Sequence, residues 1–432
     1  MKLNVFFLYS FILVLMLNVM QSTMVNVAIP FISIELSLST EQSSLIISIY
    51  TLIFAVFVLF FGKLLDNISF RKLLVVSILI VFLGSLIATF SANYYWLLVG
   101  RVLQAIGGAC IPALAMILPN YLQSDADKKN LLALMASTIA LATGLGPVVG
   151  GIFTDFLHWR IIFALPAFLI LLIPFFLIVQ VDNEKKFNKK CFDLVGFMLI
   201  SLAVTLLFIG INKIWLSLIC ISIVVILLSF FTMRRKENPY ISIHVMSKRY
   251  VVLLFFFALS NAVYYGTLFI IPIGLVDIHN ISSFSTALIL LPGALLSSLF
   301  GIIRNTYFQK VNTKVLIYLG YITYLFGATL LYFNLEADFI VLLIPIIFIY
   351  LFSPIFQTGI TSNIYEVLDP KKIGEGMGIF NLFNFLSISI GVSLAGNFIS
   401  YYQDFPTFFV FVFFIQTIAL IGFYVCDIMS RK

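Results

Sequence analysis

Residues 43–62 read SSLIISIYTLIFAVFVLFFG, a run without a charged side chain that is followed by a basic loop, residues 63–72. A helix needs about 20 mainly apolar residues to cross a bilayer, so this run has the length of one span. The chain contains further runs of the same kind, and they do not alternate with the period of two of a membrane barrel. The sequence therefore predicts an all-α membrane protein with 14 transmembrane helices, near residues 5–29, 43–62, 73–92, 95–118, 131–154, 160–180, 194–212, 214–233, 250–276, 284–303, 315–333, 338–360, 375–399 and 406–427.

The composition agrees with a chain that lies in lipid. Of its 432 residues, 62% are hydrophobic and 10% are charged, whereas soluble domains carry about 25% charged residues. These values exclude a soluble enzyme, a secreted disulfide scaffold, a disordered chain and a nucleic-acid-binding module. The four cysteines lie far apart without the spacing of metal ligands, and the sequence has no glycine-rich phosphate loop. We therefore expect no metal, no cofactor and no enzymatic activity.

The basic residues predict the orientation of the helices. Positive side chains gather in cytoplasmic loops, and a cytoplasmic N-terminus places 22 of the 25 Lys and Arg residues on that side. We therefore predict that both termini are cytoplasmic. The longest connections bracket helices 7 and 8. The predicted division is a six-helix bundle at 1–180, two linking helices at 181–249 and a second six-helix bundle at 250–432.

The loop between helices 2 and 3 combines a glycine, an acid and two bases. Glycine can end a helix and let neighbouring backbones approach closely. An acidic side chain beside basic ones can bond to helix ends on the cytoplasmic face. The residues are Gly62, Asp66, Arg71 and Lys72.

Helices 4 and 5 carry two further unusual stretches. Arg101 lies inside a span, where a charge is a functional hypothesis by default, although a position near the outer end would let it snorkel to the interface. Helix 5 contains a run of small residues with one proline, which permits close packing and a bend. That run contains Gly144, Gly146, Pro147, Gly150 and Gly151.

Taken in order, these motifs resemble the major facilitator superfamily, in its branch of fourteen-helix drug–proton antiporters. The run Thr23-Met-Val-Asn26-Val-Ala-Ile-Pro30 resembles the first-helix signature of that branch. The variant loop at Asp66, the stretch from Gly144 to Gly151, and Gly376-Met377 followed by Asn381 are most similar to tetracycline exporters of the Gram-positive type. The resemblance implies that the helix 2–3 loop is a cytoplasmic gate, that Arg101 assists proton movement, and that the helix 5 run is an antiporter motif.

The sequence departs from those exporters in its acidic residues. Acidic side chains often occur in helices 1, 5 and 13 of that family, but the matching positions here are Gln21 or Ser22, Thr143 and Ile388. None of the 18 acidic residues lies near the middle of a span. The candidates for proton coupling are therefore Arg101, Asp155 and Asp277, the two acids lying at outer helix ends. Coupling could also be absent, or transport could be weak in a divergent relative.

A cavity without acids should be lined by aromatic, amide and hydroxyl groups. Each such group could instead form a hydrogen bond between helices. A dication would find no counter-ion there, so the pattern favours neutral, zwitterionic or anionic amphiphiles. The candidates are Gln21, Asn26, Gln104, Thr143, Asn261, Tyr264, Gln357 and Asn381.

Together these features predict a multi-pass transporter in a bacterial plasma membrane. We expect it to export an amphiphilic small molecule or antibiotic, tetracycline-like drugs included, by alternating access and proton antiport. One alternative is an exporter or facilitator of a metabolite or peptide that is not coupled to protons. Another is a membrane partner that does not transport. We expect a monomer that contacts the lipid bilayer, its substrate and protons, but no nucleic acid.

Overall fold

The computed structural model describes residues 5–65, 67–122, 124–178, 193–213, 215–236, 239–241, 245–307, 311–369 and 372–429. Within these ranges the chain is all-helical, and 14 helices are long and apolar enough to cross a membrane. This confirms the predicted fold class and number of spans. The helices are α1 Val5–Glu35, α2 Thr40–Leu64, α3 Phe70–Thr89, α4 Tyr94–Ile117, α5 Asp125–Phe156, α6 Arg160–Leu177, α7 Leu194–Lys213, α8 Leu216–Arg234, α9 Lys248–His279, α10 Ser283–Tyr307, α11 Thr313–Phe333, α12 Phe339–Val367, α13 Ile373–Tyr402 and α14 Phe405–Met429.

Polar residues just before the apolar runs decide where several helices begin. A side-chain oxygen at this position accepts a hydrogen bond from a free N–H of the first turn. Ser39 forms a capping box with Gln42 at the start of α2, and Ser69 caps α3. The short connection between α7 and α8, which the sequence marks only by Asn212 and Lys213, is a real break.

Some spans are bent or locally tightened. Proline removes a backbone donor, so it kinks a helix or forces a different local geometry. In α4 the regular helix is interrupted at Ala109, three residues before Pro112. In α6, residues Leu165–Leu172 form a 3-10 helix that has Pro166 in its first turn.

We use four terms for the packing. The N-terminal half is α1–α6, the C-terminal half is α9–α14, and the seam is the surface where the halves meet. The inner end of a helix is the end that the basic residues assign to the cytoplasm. Across the seam α2 packs on α13 and α5 packs on α10, while α7 and α8 pack on each other. The division at 1–180, 181–249 and 250–432, and the orientation, stay predictions.

Candidate functional site

The outer end of the seam is closed by a side chain that caps a helix of the opposite half. The carboxylate of Asp155, on α5, accepts hydrogen bonds from the backbone N–H of Ser283 at 3.1 Å and of Phe284 at 2.8 Å. These N–H groups begin α10, where the helix itself offers no acceptor. The Ser283 hydroxyl also donates to the carbonyl of Val27, on α1, at 3.3 Å. Asp155 therefore joins the two halves.

The glycines of the α5 motif lie on two faces of that helix. A Cβ on Gly146 would lie 1.8 Å from Thr23 Oγ1, and one on Gly150 would lie 2.5 Å from the carbonyl oxygen of Met24. Real Cβ contacts are not this short, so these two glycines let α5 press against α1 inside the N-terminal half.

Two other glycines of the motif face the seam. A Cβ on Gly151 would lie 2.9 Å from the Cα atom of Phe284, while Gly144 has ordinary contacts with Leu295. Farther inward, Ser298 Oγ of α10 donates to the carbonyl of Ala140 at 2.8 Å. The same short motif thus packs α5 on its own half and on the opposite half, and Pro147 lies within the continuous helix.

The second pair of seam helices, α2 and α13, is also in close contact. Ser389 Oγ donates to the carbonyl of Ser48 at 2.7 Å. Nearer the outer end, a Cβ on Gly396 would lie 2.4 Å from Ser44 Cβ. Deeper in the membrane the rings of Phe54 and Phe385 have centroids 4.5 Å apart. The halves are therefore joined at the outer side through both helix pairs.

Arg101 is buried in the N-terminal half, with 1% of its surface exposed. Its Nε donates to the carbonyl of Ile46 at 3.1 Å and its Nη1 to Gln104 Oε1 at 3.3 Å. The guanidinium also lies 4.0 Å from the centroid of the Tyr50 ring, a cation–π contact. The alternative that Arg101 snorkels to the interface is wrong, because the side chain turns into the bundle towards these partners.

The amides of Gln104 and Gln21 belong to the same interior network. Gln104 Nε2 donates to Ser85 Oγ at 2.9 Å, and Gln21 Nε2 donates to the Tyr50 hydroxyl at 2.9 Å and to Asn18 Oδ1 at 3.2 Å. Both glutamines are buried among helices of one half. In this conformation they brace the N-terminal half rather than line the seam, and sequence motifs alone gave no sign of Tyr50 as the partner of Gln21.

The side-chain carbonyl of Asn26 has no hydrogen-bond partner, and neither does that of Gln21. Asn26 Oδ1 is buried and receives no hydrogen bond. A buried acceptor without a donor is costly, so the position suits a donor brought by a ligand or water. The hydroxyl of Thr143, by contrast, bonds back to the carbonyl of Ile139 on its own helix at 2.8 Å.

The C-terminal half contributes aromatic and amide groups at the level of mid-membrane. Tyr264 is buried, with its ring centroid 4.9 Å from that of Tyr265 and 5.3 Å from that of Phe352. Asn261 Nδ2 donates to Asn384 Oδ1 at 3.0 Å and to a serine hydroxyl of α13 at 2.8 Å. The Asn261 side chain therefore joins α9 to α13 and has a structural role in this conformation.

The remaining candidates on the C-terminal half are less buried. Gln357, in α12, and Asn381, in α13, are half-buried. Asp277 lies at the outer end of α9 with an exposed side chain.

The predicted gate loop is only partly described. Asp66, its single acid, lies outside the described residues. Arg71 Nη1 donates to the carbonyl of Leu177, at the end of α6, at 3.0 Å. The hydroxyl of Ser69 accepts from the backbone N–H of Lys72 at 3.4 Å, and Gly62 has open space around it. Among the described residues, no cluster of His, Cys, Asp and Glu could hold a metal ion.

Comparison with known proteins gives a family match over most of the chain. The model of the Major Facilitator Superfamily matches residues 11–392. The riboflavin transporter RibZ of Clostridioides difficile (strain 630) is 22% identical over 90% of this chain and 88% of its own length. The multidrug efflux pump SdrM of Staphylococcus aureus (strain N315) is 21% identical over the same shares. A crystal structure of a POT family transporter in complex with 5-aminolevulinic acid superposes with a TM-score of 0.74 at 14% identity, covering 98% of this chain and 96% of that one.

Proposed function

Since the chain belongs to the Major Facilitator Superfamily and is a multi-pass membrane transporter, we propose that it exports a neutral or zwitterionic amphiphilic small molecule. Tetracycline-like drugs are within this class. The substrate would bind at the seam and be reached from each side in turn as the two halves rock. We place the protein in a bacterial plasma membrane with both termini in the cytoplasm, working as a monomer.

The observation that carries this proposal is the unpartnered carbonyl of Asn26. It faces no protein donor, although it is buried. A substrate that brings an N–H or O–H group would satisfy it. Tyr264 and Tyr265 supply the large aromatic surfaces that such an amphiphile would stack on. Because none of the acidic residues lies near mid-membrane, a permanent dication would have no counter-charge in this space.

Proton antiport is the family's expected source of energy, and Asp277 is the candidate that remains free for it. Both carboxylate oxygens of Asp155 already accept backbone hydrogen bonds from α10. We therefore assign Asp155 to closing the outer seam. Asp277 lies at the outer end of α9 with an exposed side chain, where it can exchange a proton with the outside. Arg101 would support coupling indirectly, by holding α2 and α4 together.

A second candidate function is export of a metabolite without proton coupling. The absence of acidic residues from the middle of the spans favours it. The similarity to a riboflavin transporter makes a flat, neutral metabolite a reasonable cargo. A membrane partner that does not transport is the third possibility, and it has no observation of its own in its favour.

Purified protein in vesicles would separate these functions. A pH gradient is imposed, lumenal pH is followed by a dye, and tetracycline, riboflavin and a panel of amphiphilic antibiotics are added one at a time. If the protein is an antiporter, adding a substrate should cause proton release. This substrate-dependent release should be lost in Asp277→Asn. Movement of labelled substrate without a proton signal would favour the uncoupled exporter.

A matched pair of asparagine variants tests the site itself. Asn26→Ala should weaken substrate uptake, since the free acceptor is removed. Asn363→Ala is the control, because Asn363 donates to the carbonyl of Gly359 on its own helix, which faces α11. No uptake of any compound by the parent chain, or equal uptake by both variants, would contradict the proposal.

A further inference from the structure

Helix α7 lies across the seam, although it belongs to neither half. In the middle of the membrane, Val204 and Phe208 of α7 share one buried cluster with Leu52 and Val56 of α2 and Leu386 of α13. Helix α8 packs on the outside of α7, where many of its side chains are exposed to lipid. The placement of α7 therefore lets it touch one seam helix from each half.

The inner end of α7 is attached to α2. The ring of Phe197 lies 4.7 Å from that of Phe60 and 5.7 Å from that of Phe57, centroid to centroid. The hydroxyl of Tyr240, in the segment after α8, donates to the carbonyl of Val56 at 3.1 Å. These contacts fix the linking helices to the N-terminal half at the cytoplasmic side.

Asp193 secures this inner attachment. Its carboxylate accepts from the backbone N–H of Gly196 at 2.8 Å and of Tyr240 at 3.1 Å, and it pairs with Lys236. One buried acid thus caps the start of α7 and holds the segment that follows α8. Because Tyr240 in turn donates to the carbonyl of Val56, this network ties the inner end of α7 to α2, beside a buried cluster that also contains Leu382 of α13.

The outer end of α7 is attached to the opposite half. Asn212 Nδ2 donates to Ser393 Oγ of α13, and Asn397 Nδ2 of α13 donates to the backbone carbonyl of Asn212 at 2.6 Å. That carbonyl lies in the last turn of α7, where the helix offers no donor of its own. We call Asn212, Ser393 and Asn397 the outer clasp.

A third outer contact stays within the N-terminal side. Lys213 Nζ lies 2.6 Å from Glu41 Oε1, at the start of α2. This pair adds to the attachment of α7 to α2 and does not involve α13. The outer clasp is therefore a polar joint that must separate, together with the hydrogen bond from Ser389 to Ser48, if α13 moves away from α2 at the outer side.

We propose that α7 is a strap anchored on α2 whose outer clasp holds the outer side of the transporter closed. When the halves rock, α13 would leave α2 at its outer end, and the hydrogen bonds between Asn212 and α13 would break. The two linking helices would then set how readily the transporter opens outward. Asn212 and Ser393 are both buried, so water does not compete for the hydrogen bond between them in the closed state.

Accessibility of the seam to a reagent measures this role directly. Ser44 is buried where Gly396 of α13 touches α2, so Ser44→Cys in a chain without native cysteines should react with a membrane-impermeant maleimide only when the outer seam opens. Removing the side-chain hydrogen bond of the clasp by Asn212→Ala or by Ser393→Ala should raise the modification rate about three-fold, while the bond from Asn397 to the backbone carbonyl of Asn212 remains. The double variant should give about the same three-fold increase, because both changes remove the same hydrogen bond.

A control separates the clasp from general loosening of the linking helices. Ser222→Ala removes a buried hydrogen bond of 2.8 Å to the carbonyl of Ala203, which joins α8 to α7 only. It should not change the modification rate. An equal increase in this control, multiplying effects in the double variant, or no increase after Asn212→Ala would overturn the proposal. The assay needs no substrate, so its outcome is independent of which molecule is exported.

Discussion

Asp155→Ala should make the transporter open outward more often. The substitution removes both cross-seam acceptors, which lie 3.1 Å and 2.8 Å from the first N–H groups of α10. Replacing a helix cap by alanine costs about 0.5–2 kcal/mol. Because the Asp155 side chain is exposed, the lower part of that range, about 0.5–1 kcal/mol, is the appropriate one. At 1.36 kcal/mol per factor of ten, the outward-open population should rise about two- to five-fold.

The rate of thiol modification can report this change. Ser283 is fully buried beneath the closed seam, so Ser283→Cys in a cysteine-free chain is reached from outside only after opening. We expect the rate with a membrane-impermeant maleimide to rise about two- to five-fold in Asp155→Ala, in line with the open population.

The control uses an aspartate that caps a helix of its own half. Asp404 accepts from the backbone N–H of Thr407 at 3.2 Å, within α14. Asp404→Ala should therefore destabilise one helix end without opening the seam. An unchanged rate in Asp155→Ala, or an equal rise in Asp404→Ala, would refute the argument that Asp155 holds the halves together.

Three further variants test other parts of the structure. Gly146→Ala should abolish transport while the protein still reaches the membrane. The added Cβ atom would lie 1.8 Å from Thr23 Oγ1, and overpacking of this kind costs about 1–3 kcal/mol. Gly374→Ala is the control for this transport assay, because a Cβ atom there would meet open space. Arg101→Ala should lower the melting temperature in detergent, because the buried side chain fills space and donates two hydrogen bonds; an unchanged melting temperature would contradict this. Burial raises the pKa of Asp193, but hydrogen bonds from Lys236 and two backbone N–H groups outweigh it and hold that pKa below its usual range. The stabilisation is present at neutral pH and is lost as the pH falls through the lowered pKa, so the melting temperatures of the parent and of Asp193→Asn should converge below about pH 4.

The fold could be predicted from the sequence because span length and hydrophobicity are local properties. Even the break between α7 and α8 was visible in Asn212 and Lys213. The rotation of each helix about its axis was not visible, and this decides which residues meet. Gln104 matched a motif, yet it turns into its own half towards Ser85.

Contacts between distant helices were equally hidden. Asp155 was predicted as a coupling acid in the outer vestibule because it ends α5. Nothing in the sequence indicates that α10 begins within hydrogen-bond distance of it, 128 residues later. The contacts of the α5 glycine motif were hidden in the same way. Gly146 meets Thr23 only when α1 and α5 pack within the N-terminal half, and Gly151 meets Phe284 only when the two halves assemble.

The most direct test of alternating access is a pair of distance measurements on the same molecule. Spin labels are placed at the outer ends of α5 and α10 in one sample and near their inner ends in another, and each is measured in the parent chain and in Asp155→Ala. We predict that the outer and inner distances change in opposite directions in the variant, with longer outer distances accompanied by shorter inner distances. Outer distances that lengthen while the inner ones stay fixed would mean local fraying of α10, and would contradict two halves that rock about a common seam.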